Sequence, residues 1–173
     1  MAIKALIFDF DGLILDTEVA SYQVWQDIYR SYGLELSLEK WVHVIGTSFG
    51  VFDPFVDLQT KTGQAVDRQA TMNFVIARMM KLMEGSQPLP GVLQTIQTAR
   101  QMGLQLAVAS SSVGSWVHTH LQKQGLEHYF DVICTRDDVA RVKPDPALYL
   151  LAVERLGVRP EEAAALEDSL NGI

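Results

Sequence analysis

Cysteine occurs once in these 173 residues, at Cys134. One thiol closes no internal disulfide. Set in the apolar stretch Asp131–Cys134 with no base partner nearby, it reads as a buried strand residue in a reducing compartment rather than as a nucleophile. Basic residues are scarce as well: 14 lysines and arginines face 21 acids, a formal net charge of −7. Such a surface attracts neither nucleic acid nor an anionic membrane non-specifically. No apolar run approaches the roughly 20 residues needed to cross a bilayer. The opening stretch Met1–Phe8 is too short for a signal-peptide core and runs into an acid, Asp9, instead of a small-residue cleavage site. A cytoplasmic protein is therefore expected. Repeats and low-complexity segments are absent. His43, His118, His120 and His128 lack metal-ligand spacing with an acid or cysteine, and read as surface or packing residues. What is present is a chain 48% hydrophobic and 20% charged, of a length that suits one domain or a core with a modest insertion.

Residues 3–8 form a short, nearly continuous apolar run that suits a strand buried on both faces. Leu104–Ala109, Val132–Cys134 and Ala163–Leu166 are further candidate strands. Helical patterns lie between them over Val92–Met102, Val113–Gln124 and Pro146–Leu156, each followed by a glycine that can close it. This alternation predicts an α/β fold, a parallel sheet with helices on both faces. Residues 17–84 differ. Helices are expected over Thr17–Tyr32, Leu38–Val44, Val51–Thr62 and Arg68–Glu84, with no strand among them. The expected division is a core of residues 1–16 and 85–173 and a helical insertion, 17–84, placed after the first strand.

The chemistry gathers where the strands end. After the first strand comes Asp9-Phe10-Asp11-Gly12. In extended chain, side chains two apart point the same way, so both carboxylates can face one site. They repel each other unless a cation neutralises them, and Mg²⁺ is the natural choice for oxygen ligands. The second strand ends in Ser110-Ser111-Ser112; one serine can cap the next helix and leave two for an anion. Lys143, between Val142 and Pro144 and close to a helix start, calls for an anion beside it, a phosphate or an aspartate. The fourth strand ends in Glu167-Asp168-Ser169, adjacent acids that are costly to bury without a cation. In open α/β sheets ligands bind at the carboxyl ends of strands. All four features sit there. Because the overall charge repels anions, any phosphate chemistry has to rest on a local metal and a few local donors.

Taken in order, these segments resemble the motifs of the haloacid dehalogenase superfamily, in the branch similar to β-phosphoglucomutase and phosphoglycolate phosphatase. Asp9 to Thr17 matches the first motif, Ser110 the second, Lys143-Pro144 the third and Glu167-Asp168-Ser169 the fourth; the helical insertion resembles that branch's cap domain. The resemblance implies a Rossmann-like core and a Mg²⁺-dependent phosphatase acting on a small phosphorylated metabolite. It implies Asp9 as nucleophile and Asp11 as acid and base. Mg²⁺ would be held by Asp9, the Asp11 backbone carbonyl and Asp168, with Glu167 as a ligand or beside one. Ser110, Ser111 through its backbone N–H, and Lys143 would hold phosphoryl oxygens.

Asp11 argues against dehalogenases and phosphonatases, which lack the second acid. A sugar phosphomutase is the alternative, but the stretch Glu18–Gln23 carries no histidine to match the one that mutases use there. From another class, a non-catalytic binding module is the remaining alternative, and the intact acid set speaks against it. Relatives continue past the fourth motif, so an incomplete or shortened core is expected at Ile173.

Overall fold

The computed structural model describes residues 2–45, 52–169 and 172. It divides into two compact units, Met1–Asp16 with Gln87–Ile173, and Thr17–Ser86.

The first unit is built on four parallel strands: β1 (Ala5–Phe8), β2 (Gln105–Ala109), β3 (Val132–Cys134) and β4 (Ala163–Leu166), in the spatial order β3-β2-β1-β4. Chain order runs outward from β1 through β2 to β3, then returns to the other side of β1. The reversal lies between β1 and β4, the kind of switch point that opens a crevice at the strands' carboxyl ends. Small residues decide how one face is covered. Ala5, Ile7, Ala107, Ala109 and Cys134 form a buried cluster with Leu148, Ala152, Val153 and Leu156 of the helix Ala147–Leu156. Alternation sends Leu106, Val108 and Phe8 the opposite way, and Phe8 meets Phe130 edge-on at 5.8 Å. The expected α/β class with a parallel sheet is borne out. Cys134 is a buried free thiol, as expected.

The second unit is helical: α1 (Thr17–Ser31), α2 (Leu38–Trp41), α3 (Pro54–Thr62) and α4 (Arg68–Leu82). The first-unit helices are α5 (Val92–Gln101), α6 (Gly114–Lys123) and α7 (Ala147–Leu156). Val24, Trp25, Ile28 and Tyr29 of α1 share a core with Trp41, Phe55, Leu58 and Val75, and the Trp25 ring stands edge-on to Phe55 at 5.0 Å. Local chemistry sets the ends. Asp53 caps α3 by accepting from the Phe55 and Val56 amides, Pro54 opens it, and Gly63 closes it in a left-handed conformation. α2 is shorter than the expected Leu38–Val44: the Ser37 hydroxyl accepts from Lys40 at its start, and the chain turns after Trp41, which is buried in the core. Of the helix expected over Val51–Thr62, Val51 lies outside the described residues. Among the described residues no helix is long and apolar enough to cross a membrane.

Candidate active site

β1 delivers Asp9 to the carboxyl edge of the sheet. Its amide donates to the Leu166 carbonyl at 2.9 Å, which ties the end of β1 to the end of β4. The chain then curls tightly: Gly12 N–H donates to the Leu15 carbonyl and Ile14 N–H to that of Phe10. Gly12 adopts φ 83°, a left-handed conformation that L side chains rarely adopt, and a Cβ there would collide with the Asp168 carboxylate. Glycine at this point lets the β1 loop and the β4 end approach each other.

Asp9 is 4% exposed. Lys143 Nζ lies 2.8 Å from its Oδ1 and 2.7 Å from Glu167 Oε1, with the lysine side chain only 1% exposed. The anion that the position of Lys143 calls for is thus supplied by an aspartate and a glutamate together. Glu167 is further held on Oε1 by the Tyr149 hydroxyl at 2.9 Å, and on Oε2 by the Ser169 amide and hydroxyl. Tyr149 also lends its ring to the ammonium, 4.8 Å from the centroid. Burial, followed by the charges of Glu167 and Asp9, pushes the Tyr149 phenol well up, so it remains a donor.

Asp11 sits differently from Asp9. Its Oδ2 accepts from Ser112 Oγ at 2.6 Å and from Ser110 Oγ at 3.3 Å, and its Oδ1 from Trp116 Nε1 at 3.1 Å. The Ser112 amide in turn donates to Ser110 Oγ. Two residues apart in sequence, the two carboxylates thus have separate partner sets, because the chain curls after Phe10 instead of continuing as a strand. Nor do the serines cap α6. Its first amide, that of Gly114, donates to Asp137 Oδ2 from the loop after β3. The Ser111 hydroxyl is buried without a hydrogen-bond partner.

Asp9, Glu167 and Asp168 each place a carboxylate oxygen within 4.8 Å of the others. Burial pushes the Asp9 carboxyl up to about 7 despite the neighbouring Lys143. Asp168, at the surface, is held above its ordinary value by partial desolvation and then by Glu167. Burial also opposes ionisation of Glu167, but the hydrogen bonds from Lys143 and the Ser169 amide hold it below the usual range. Three acids and one ammonium leave excess negative charge in an all-oxygen site. That donor set fits a hard divalent cation.

The family model of the haloacid dehalogenase-like hydrolases matches residues 6–173. The chain belongs to this family. Relatives within it include YhcW of Bacillus subtilis, provisionally named a phosphatase, 48% identical over 98% of this chain and 77% of that protein. Hexitol phosphatase B of Escherichia coli K12 is 33% identical over 99% of this chain and 78% of its own length. Among solved structures, CbbY of Rhodobacter sphaeroides in complex with phosphate is 29% identical, with a TM-score of 0.77 over 98% of this chain and 80% of that one. As a haloacid dehalogenase-like hydrolase the chain is an enzyme, not a binding module. Within its site, sequence reasoning missed Tyr149 and Trp116. Tyr149 had a legible signal, since it lies one turn into the helix that follows the Lys143 segment. Trp116 had none beyond its nearness to the serines.

Proposed function

We propose that this enzyme hydrolyses phosphate monoesters of small sugars or polyols through a phosphorylated Asp9. The observation that carries the reading is the buried Asp9 carboxylate at the switch-point edge of the sheet, held by Lys143 and facing Glu167 and Asp168. The phosphatase names of relatives spanning nearly the whole chain, and the phosphate in CbbY, support it.

In the first half-reaction an Asp9 oxygen bonds to phosphorus as the ester bond breaks, and Asp11 gives its proton to the departing alcohol oxygen. In the second, the Asp11 carboxylate takes a proton from the water that attacks phosphorus. Asp9 is released together with inorganic phosphate. Lys143 has three N–H donors; two are taken by Asp9 and Glu167, so one is left for a phosphoryl oxygen. Ser110 and the backbone N–H of Ser111 would be further donors, and the unpartnered Ser111 hydroxyl is a second free one. Asp9, Asp168 and the Asp11 backbone carbonyl, with Glu167 beside them, would hold Mg²⁺, which would supply charge neutralisation at the phosphoryl group. Phosphoryl transfer rests on such positioning and neutralisation.

The reading is tested by phosphate release from a panel of sugar and polyol phosphates. Turnover is expected with Mg²⁺, and a loss of about 100-fold or more with a chelator. Calcium, with its looser coordination, should support little. Full activity in metal-free protein overturns the reading. A pH consequence follows from Asp9. Its folded-state value lies above the ordinary 3.8, at about 7, so the metal-free protein carries a proton there that is lost as pH rises through about 7. Its thermal stability should therefore fall as pH rises from about 4 to about 7. Mg²⁺ added near pH 6 should release protons, detected by calorimetry in buffers of different ionisation enthalpy.

Residues 17–84, the helical insertion, are proposed as the selector of substrate, because the core motifs read only phosphate and metal. Exchanging this unit for that of a relative should change the order of preferred esters while keeping the need for Asp9 and Mg²⁺. A folded, active chimera with an unchanged order would refute it.

A further inference from the structure

We infer that Trp116 is a positioning residue for proton transfer: its indole N–H pins Oδ1 of Asp11 and makes Oδ2 the oxygen that gives and takes the proton. The inference rests on the reading of Asp11 as the acid and base of the reaction.

The two oxygens of Asp11 have chemically different partners. Oδ1 faces the indole N–H at 3.1 Å. An indole only donates, so the oxygen it faces is the one that stays without a proton. Oδ2 faces the hydroxyls of Ser112 and Ser110 at 2.6 and 3.3 Å. A hydroxyl donates or accepts by rotating about its C–O bond, so these partners serve both the protonated and the ionised acid. One oxygen is thus anchored, and the other has neighbours that can follow a proton. When the ester bond to phosphorus breaks and the Asp9 oxygen–phosphorus bond forms, the proton on Oδ2 passes to the ester oxygen. The alcohol leaves neutral and Asp11 is left as a carboxylate, still anchored through Oδ1.

The indole is itself held in place. Trp116 lies in the first turn of α6, and His120 lies one turn further on. The two rings are 4.0 Å apart between centroids, tilted by 46°. His120 Nδ1 is 2.9 Å from the Trp116 carbonyl oxygen, which can only accept, so the proton is on Nδ1. His120 is 2% exposed, and its ring centroid is 6.3 Å from that of Phe10. Phe10 stands between Asp9 and Asp11 in the chain, so the element that holds the indole also packs against the loop carrying the two acids. This arrangement gives a buried histidine and a half-buried tryptophan a task beyond filling the core.

The test uses leaving groups. An alkyl phosphate needs a proton on its departing oxygen, whereas p-nitrophenyl phosphate does not, and kcat/KM reports the step in which the ester bond breaks. Trp116→Phe is compared with wild type and with Asp11→Asn, using p-nitrophenyl phosphate and the sugar or polyol phosphate that wild type turns over fastest. Trp116→Phe should lower kcat/KM about 20-fold on the alkyl phosphate and about threefold or less on the aryl phosphate, a smaller version of the Asp11→Asn pattern. If Trp116→Phe fails to fold, benzothienylalanine at position 116 removes the N–H and keeps the ring shape. Equal losses on both esters, or no loss on either, overturn the positioning role while Asp11→Asn still discriminates. If Asp11→Asn shows no discrimination, the reading of Asp11 falls and the inference with it.

Discussion

Asp9→Asn should reduce turnover by about 10⁴-fold or more and leave the protein folded. The amide nearly matches the carboxylate in shape but is a far poorer nucleophile, so the phosphoryl group has no acceptor. Stability should not suffer. Burial already disfavours the ionised form of Asp9, which pushes its carboxyl up to about 7. A neutral side chain relieves that cost, and Lys143 keeps Glu167 as a partner at 2.7 Å. Phosphate release and calorimetry on the same sample check both halves. Residual activity within about tenfold of wild type would exclude Asp9 as the phosphoryl acceptor.

Lys143→Met should have the largest effect on the fold. The ammonium is enclosed by Asp9, Glu167 and the Tyr149 ring. Removing it leaves Glu167 without its counter-charge beside Asp9, whose own carboxyl is already pushed up by burial. Breaking a buried ion pair in this way costs about 3–5 kcal/mol, a fall in Tm of roughly 6–20 °C for a chain of this size. Part of the loss should return at low pH, where a proton replaces the missing charge. Turnover should be lost in either case, because Lys143 is also a proposed phosphoryl donor. A thermal melt within about 2 °C of wild type at neutral pH would mean that the acids relax away from each other instead of needing the lysine.

Much of the core was readable because its signals are local. The apolar runs 3–8 and 163–166 contain β1 and β4, and the glycines after Met102, Gln124 and Leu156 mark where helices stop. The acids and the lysine were readable because a charge at the end of an apolar strand has few cheap solutions. Side-chain partners were harder. The spacing of Asp9 and Asp11 did not report that the loop curls at Gly12 and gives Asp11 donors of its own. A serine was expected to cap α6, but an acid from a different loop, Asp137, reaches its first amide. Asp137 and Asp138, which look like solvated loop residues, both have structural partners: Asp138 accepts from the Thr135 amide and pairs with Arg155. Trp116 depends on how α6 packs, and nothing in its own neighbourhood reports that, whereas Tyr149 is signalled only by lying one turn into the helix that follows Lys143.

The placement of β1 also bears on how the chain is made. Ala5 pairs with Gln105 on one side and with Ala163 on the other. At about 5–20 residues per second, the first strand leaves the ribosome on the order of ten seconds before its second neighbour. Until β2 follows, both of its edges are open, and one edge stays open until β4 is made. The helical unit has no such wait. Its residues are contiguous, from Thr17 to Ser86, so its internal contacts span less chain than the pairings of β1 do, which favours earlier folding. During synthesis a folded helical unit would thus follow an unpaired strand that leads into Asp9. Asp9, directly after that strand, places a charge at its end, the position where charged residues limit aggregation of apolar strands.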